Sequence, residues 1–120
     1  MEGGPDPDCR RAYPVAPDAA QLAHRAFVRA VVHARRQWLP LRRGRSRVVA
    51  AAGGAIAIGR DADGERALVA LNASREPARL AVEPSLLAGL EPVPLPEIAP
   101  GRVAEPGVVE LPPQAALILA

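Results

Sequence analysis

Apolar residues fall into two different rhythms along the chain. Between residues 18 and 37 they recur at helical spacing. Leu22, Ala26, Ala30 and Ala34 stand four apart beside Ala23, Phe27 and Val31, which predicts one apolar stripe, with Arg25, Arg29 and Arg36 on the other side. Asp18 is placed to accept from the first free backbone N–H groups. Gln21, three residues on, completes a capping-box pattern. Pro40 ends the helix, because the residue before a proline is pushed out of the α region. From Ser46 onward the period changes to two. Val48 and Val49 open the first strand, and Ile56 and Ile58 follow in alternation. Asp61 to Gly64 predicts a hairpin turn, and residues 66–71 are a near-continuous apolar run that reads as a central strand buried on both faces. Asn72 to Pro77 turns the chain again. Leu80 and Val82 then alternate with Arg79 and Ala81, and residues 108–111 and 115–119 read as the last two strands.

Six or seven short strands predict a mainly β protein, an antiparallel sandwich preceded by one loop and one helix. Fourteen prolines and ten glycines fit brief strands joined by turns better than a helical bundle. Its core is expected to draw on Ile56, Ile58, Val69 and Leu71. No strand is assigned in the proline-rich stretch 84–106. Residues 1–17, with Gly3, Gly4 and four prolines, read as loop.

At 120 residues the chain suits one modest core, and a complete α/β barrel does not fit. The aromatic side chains are Tyr13, Phe27 and Trp38, too few for a row of rings that would stack on sugars or bases. Fifteen arginines stand against thirteen carboxylates, for a formal net charge of +2. With abundant alanine and proline, an arginine-only basic set reads as coding bias rather than selection for polyanions. Cys9 has no second cysteine with which to form a disulfide. With no signal-peptide pattern and no apolar run of spanning length, a cytoplasmic protein without membrane contact is expected.

The opening EGGPDPDCRR and the YP that follows resemble the segment after the eighth barrel strand in the neopullulanase, cyclomaltodextrinase and maltogenic amylase subgroup of the α-amylase superfamily of glycoside hydrolases. HARRQWLPLRRG resembles the arginine-rich end of that group's last barrel helix. RALVALNASREPARLAV resembles its central strand, Asn-containing turn and next strand, and ELPPQAALILA its last strand. The resemblance implies that residues 1–40 are the end of a catalytic barrel and residues 41–120 the C-terminal β-sandwich domain. It further implies that Asp6 and Arg10 contact sugar hydroxyls in the parent enzyme, where a carboxylate and a forked guanidinium suit a polyol. All three catalytic carboxylates would lie upstream. The chain departs from the pattern at Val15, where the group often has Trp, and at Met1, where an internal hydrophobic residue is common. It therefore reads as a piece of a longer reading frame. Its implied partners are the missing barrel and, in the parent, an α-glucan or maltooligosaccharide.

No catalytic residue, metal site or cofactor is expected. A retaining glycosidase needs two carboxyls roughly 5–5.5 Å apart, one in an apolar pocket, and nothing around Asp6 and Asp8 supplies that pocket. Asp61, Asp63 and Glu65 imitate the start of a calcium loop, but Arg66 stands where its glycine is required. His24 and His33 are nine residues apart and fall on opposite helix faces at about 100° per residue. Asn72, Ala73 and Ser74 match a glycosylation sequon but read as turn chemistry. Two alternatives remain. One is an arginine-rich nucleic-acid binder using Arg35, Arg36, Arg42, Arg43, Arg45 and Arg47; the other is a free-standing α-glucan-binding module using Trp38 and Tyr13. The apolar helix face of Leu22, Phe27 and Val31 is expected to lack its barrel partner and to promote self-association.

Overall fold

The computed structural model describes residues 5, 6, 12 and 14–120. Helix α1 runs Ala19–Gln37 and opens with a reciprocal capping box. The Asp18 carboxylate accepts from the Gln21 backbone N–H at 2.8 Å, and Gln21 Oε1 accepts from the Asp18 N–H at 3.1 Å. Its end comes at Gln37, one turn before Pro40, which instead enters the short helix α2, Leu39–Arg43. Proline is tolerated there because first-turn N–H groups have no partner inside the helix.

Eight strands follow. They are β1 (Arg45–Ala52), β2 (Ala55–Ala62), β3 (Glu65–Asn72), β4 (Ala78–Ala81), β5 (Ala99–Pro100), β6 (Arg102–Glu105), β7 (Val108–Leu111) and β8 (Ala115–Leu119). A single-turn helix α3, Pro84–Leu87, lies between β4 and β5. Sheet A has the order β1-β2-β3-β8-β5, and sheet B the order β4-β7-β6. All pairings are antiparallel except the two-residue β5, which runs parallel to β8.

Turn chemistry sets the register. Asp63 and Gly64 both have positive φ (51° and 84°) and link Ala62 directly to Glu65, the geometry of a type I′ hairpin. The β6–β7 turn is Pro106-Gly107, with φ 81° at the glycine. A side chain at Gly107 would also meet the Val82 carbonyl at 2.8 Å, and the Gly107 carbonyl accepts from the Val82 N–H at that same distance. This glycine thus closes the hairpin and ties it to the end of β4.

The main core lies between the sheets. Sheet A contributes Ala55, Ala57, Leu68, Ala70, Ala115, Leu117 and Leu119, and sheet B with its continuation contributes Leu80, Val82, Val109 and Leu111. The residues expected from the sequence to form this core, Ile56, Ile58, Val69 and Leu71, sit on the opposite face of sheet A. Of these Leu71 is 42% exposed and the others are half-buried. Alternation sorts residues onto two faces but does not say which face is covered. Here alanines line the inner face because leucines from β3, β8 and sheet B fill the space. Part of the outer face is covered by a second cluster in which Ala34, Leu41, Ala67 and Ile118 pack with Trp38, Val69, Val93 and Leu95. The last turn of α1 and all of α2 therefore lie against sheet A, and Ala34 is the one buried residue of α1.

Candidate functional site

Asp6 is exposed in a turn, and Arg10 lies outside the described residues together with Asp8, Cys9 and Tyr13. The pairing of Asp6 with Arg10 expected from the sequence therefore lies outside the described residues.

The arginine-rich segment divides into two groups with different work. Arg35, in the last turn of α1, donates from Nη1 to the Leu41 carbonyl at 2.7 Å and from Nη2 to that of Arg42 at 3.4 Å. Arg60, on the outer face of β2, donates from Nε to the Pro40 carbonyl at 3.0 Å, from Nη2 to that of Leu41 at 3.5 Å and from Nη1 to Ser46 Oγ at 2.7 Å. Two guanidiniums thus converge on the carbonyls of α2, which a five-residue helix leaves largely without internal partners; Arg35 ties it to α1 and Arg60 ties it to the sheet. Sequence reasoning did not single out Arg60. Its signal was weak, an arginine on the apolar face of a strand. Arg36, Arg42, Arg43, Arg45 and Arg47 are exposed.

The most fully bonded polar side chain among the described residues is Asn72, 3% exposed at the end of β3. Its Nδ2 donates to the carbonyls of Glu76 (2.8 Å), Pro112 (2.9 Å) and Leu111 (3.3 Å), while Oδ1 accepts from the Ser74 N–H (3.0 Å) and hydroxyl (2.7 Å). It joins the β3–β4 turn to the β7–β8 crossover between the sheets. Its amide nitrogen is engaged and buried, so this asparagine is a structural pin, as the turn reading of the sequon requires.

Trp38 packs in the second cluster and is half-buried, so part of its ring is engaged in packing rather than offered to a sugar. Asp61, Asp63 and Glu65 spread along an exposed hairpin. Among the described residues no group of three His, Cys, Asp or Glu side chains is placed to hold a metal. His24 and His33 are both exposed on α1, and His33 lines a wide, open depression with Arg36 and Gln37. No helix of the described residues is long and apolar enough to cross a membrane.

The outward surfaces of the two sheets differ. On sheet B a charged ladder crosses β4, β7 and β6. Arg79 pairs with Glu105 at 2.9 Å and with Glu110 at 3.4 Å, and Arg102 pairs with Glu110 at 2.6 Å. Such wet ion pairs add little stability but mark a solvated face. Sheet A instead turns Val48, Ile56, Ile58 and Leu71 outward beside the cover of α2, with Val48 59% exposed.

No protein-family model and no curated protein sequence matches the chain. Solved structures do. The fold is similar to that of an alpha-glucosyl transfer enzyme, XgtA, at 26% identity and a TM-score of 0.64, over 78% of this chain and 17% of XgtA. It is also similar to Eubacterium rectale Amy13B, at 20% identity and a TM-score of 0.55, over 71% of this chain and 17% of that one. The chain thus spans about a sixth of the length of either protein.

Proposed function

We propose that this chain is the non-catalytic C-terminal portion of an α-glucan-acting glycoside hydrolase or glucosyl transfer enzyme. In this reading residues 1–40 complete a catalytic barrel, and the sandwich of residues 41–120 stabilises it. The observation that carries this is the likeness to a sixth of XgtA at 26% identity, and the exposure of Val48 and Leu71 on the outer face of sheet A fits it. In the complete enzyme, Asp6 and Arg10 would contact sugar hydroxyls from the loop before α1. The free-standing glucan-binding alternative is disfavoured by the packing of Trp38.

Two measurements test the reading. The purified chain is expected to release no reducing sugar from starch, pullulan or cyclodextrin. A chimera in which it replaces the part of XgtA that it resembles is expected to fold and retain α-glucosyl transfer. Hydrolysis by the chain alone that is abolished by Asp6→Asn or Asp8→Asn, or micromolar binding of maltooligosaccharide, would overturn it. So would a chimera that fails to fold.

A further inference from the structure

Sheet A ends on one side at β1, and this edge is unlike the others in the fold. Strand β1 is eight residues long and pairs with β2 alone. Among the described residues none of its backbone groups makes any other hydrogen bond. The opposite edge of the sheet, β5, has two residues and contains Pro100, which lacks an N–H. In sheet B the edges β4 and β6 have four residues each, and β6 commits Arg102 and Glu105 to the charged ladder. Short, charged or proline-bearing edges resist further pairing, and long ones invite it. A bulge at Val49, between Val48 and Ala50, leaves 45–48 and 50–52 as two regular runs of β1.

The side chains of β1 are polarised along its length. Arg45 and Arg47 lie at one end on the face that looks toward sheet B, opposite Asp61 and Gly59, which share that face with the buried Ala57. At the other end Ala50 and Ala52 occupy the same face, opposite Ala57 and Ala55. Val48, near the middle, turns to the outer face and at 59% is the most exposed large apolar side chain in any described strand.

We propose that β1 pairs antiparallel with β1 of a second copy of this chain, joining two copies of sheet A across a two-fold axis near Val48. An axis normal to the sheet keeps the two faces in step. It sets Arg45 opposite the partner's Ala52, and Arg47 opposite the partner's Ala50, so no arginine meets an arginine and each long side chain lies over a small one. The two Val48 side chains flank the axis and shield each other from water. Both bulges fall at the axis, which leaves the regular runs to form the ladder on either side. An unrelated strand would have to supply small residues opposite both arginines, whereas a second copy supplies them by symmetry.

Sedimentation of the whole chain is expected to show a monomer–dimer equilibrium with a Kd on the order of 100 μM, weak because one strand pairing is smaller than a standard interface. Ala52 is exposed, so its replacement leaves the core intact. Ala52→Glu places a carboxylate opposite the partner's Arg45 twice in each dimer and should tighten association about fivefold. Ala52→Arg sets like charges there and should weaken it about as much. The tightening arm cannot arise from misfolding. Hydrogen exchange locates the contact, since amides of β1 should exchange more slowly as the concentration rises. A chain that stays monomeric at about 0.5 mM overturns the proposal. So does association that both Ala52 changes leave untouched, or concentration-dependent protection confined to α1.

Discussion

Replacing Asn72 by alanine should be among the most damaging single polar substitutions in this chain. The side chain is 3% exposed and holds five contacts of 2.7–3.3 Å. Not all five are lost independently. The Ser74 hydroxyl already lies 2.8 Å from the Glu76 carbonyl and can turn to it, and the 3.3 Å contact to Leu111 shares the amide's two hydrogens with shorter bonds. Three bonds therefore remain to be counted, to Glu76, Pro112 and the Ser74 N–H, at about 1 kcal/mol net each. The expected destabilisation is about 3 kcal/mol, a fall in Tm on the order of 10 °C or more for a chain of this size. Asn72→Asp keeps the shape and tests the direction of the bonds. An ionised carboxylate would face three carbonyl oxygens in a buried site, so its folded pKa must rise above the usual carboxylate value of about 3.9. The protonated form can still donate. That variant is therefore most stable below about pH 4 and loses stability as pH rises through its elevated folded pKa, because the native state binds the proton more tightly than the unfolded state. Urea melts of the three proteins at pH 4 and pH 8 decide the matter. An alanine variant within 0.5 kcal/mol of the parent, on the scale of ordinary surface changes, or an aspartate variant equally stable at both pH values, would refute the pinning role.

Three other outcomes follow from the same structure. Leu68→Ala, at a position 1% exposed between the sheets, should cost about 2–5 kcal/mol in a denaturant melt, whereas Leu71→Ala, 42% exposed on the other face, should cost less than about 1; equal costs would show that the inner face has been misassigned. Gly107→Ala should cost about 1–3 kcal/mol by the same assay, since it forces an L side chain to φ 81° and against the Val82 carbonyl. Phe27→Asp should lower self-association in sedimentation while leaving the thermal melt of the sandwich intact; a monomeric parent whose sandwich collapses on mutation would place α1 inside the domain's own core.

What could be read from the sequence was what local chemistry determines. Asp18 with Gln21 announces the start of α1 because the two side chains satisfy each other's backbone, and no tertiary contact is needed. The Asp63-Gly64 hairpin is legible for the same reason, since only residues tolerant of positive φ close a two-residue turn. The central position of β3, between β2 and β8, also follows from its unbroken apolar run. Its burial on both faces does not fully hold, because Leu71 lies beyond the cover of α2. The stretch 84–106 was illegible for a definite reason. β5 has two residues, and β6 is exposed at all four of its positions, so neither carries an alternation to read. Both exist because β8 and β7, brought into place by distant pairings, offer them free backbone groups.

The candidate site shows the same limit. A run of arginines looks uniform in sequence, yet Arg35 turns inward to the carbonyls of α2 while Arg36, one residue on, points to solvent. Arg60, from a different element, completes the clamp that Arg35 begins. Helical phase separates the first two, but nothing local predicts the third. That clamp also bears on which way this domain faces. A sandwich standing free has two outer surfaces in the same solvent and no reason to treat them differently. Here one surface is ruled by the Arg79, Glu110 and Arg102 ladder, while the other turns Val48, Ile58 and Leu71 outward and carries a short helix held to it by the Arg60 guanidinium. Exposing that much aliphatic surface on one side is unfavourable by about 25 cal/mol per Å², and the cost is avoided only if something covers it. On the proposed function, the domain would face water on the side of sheet B and the rest of the larger enzyme on the side of sheet A.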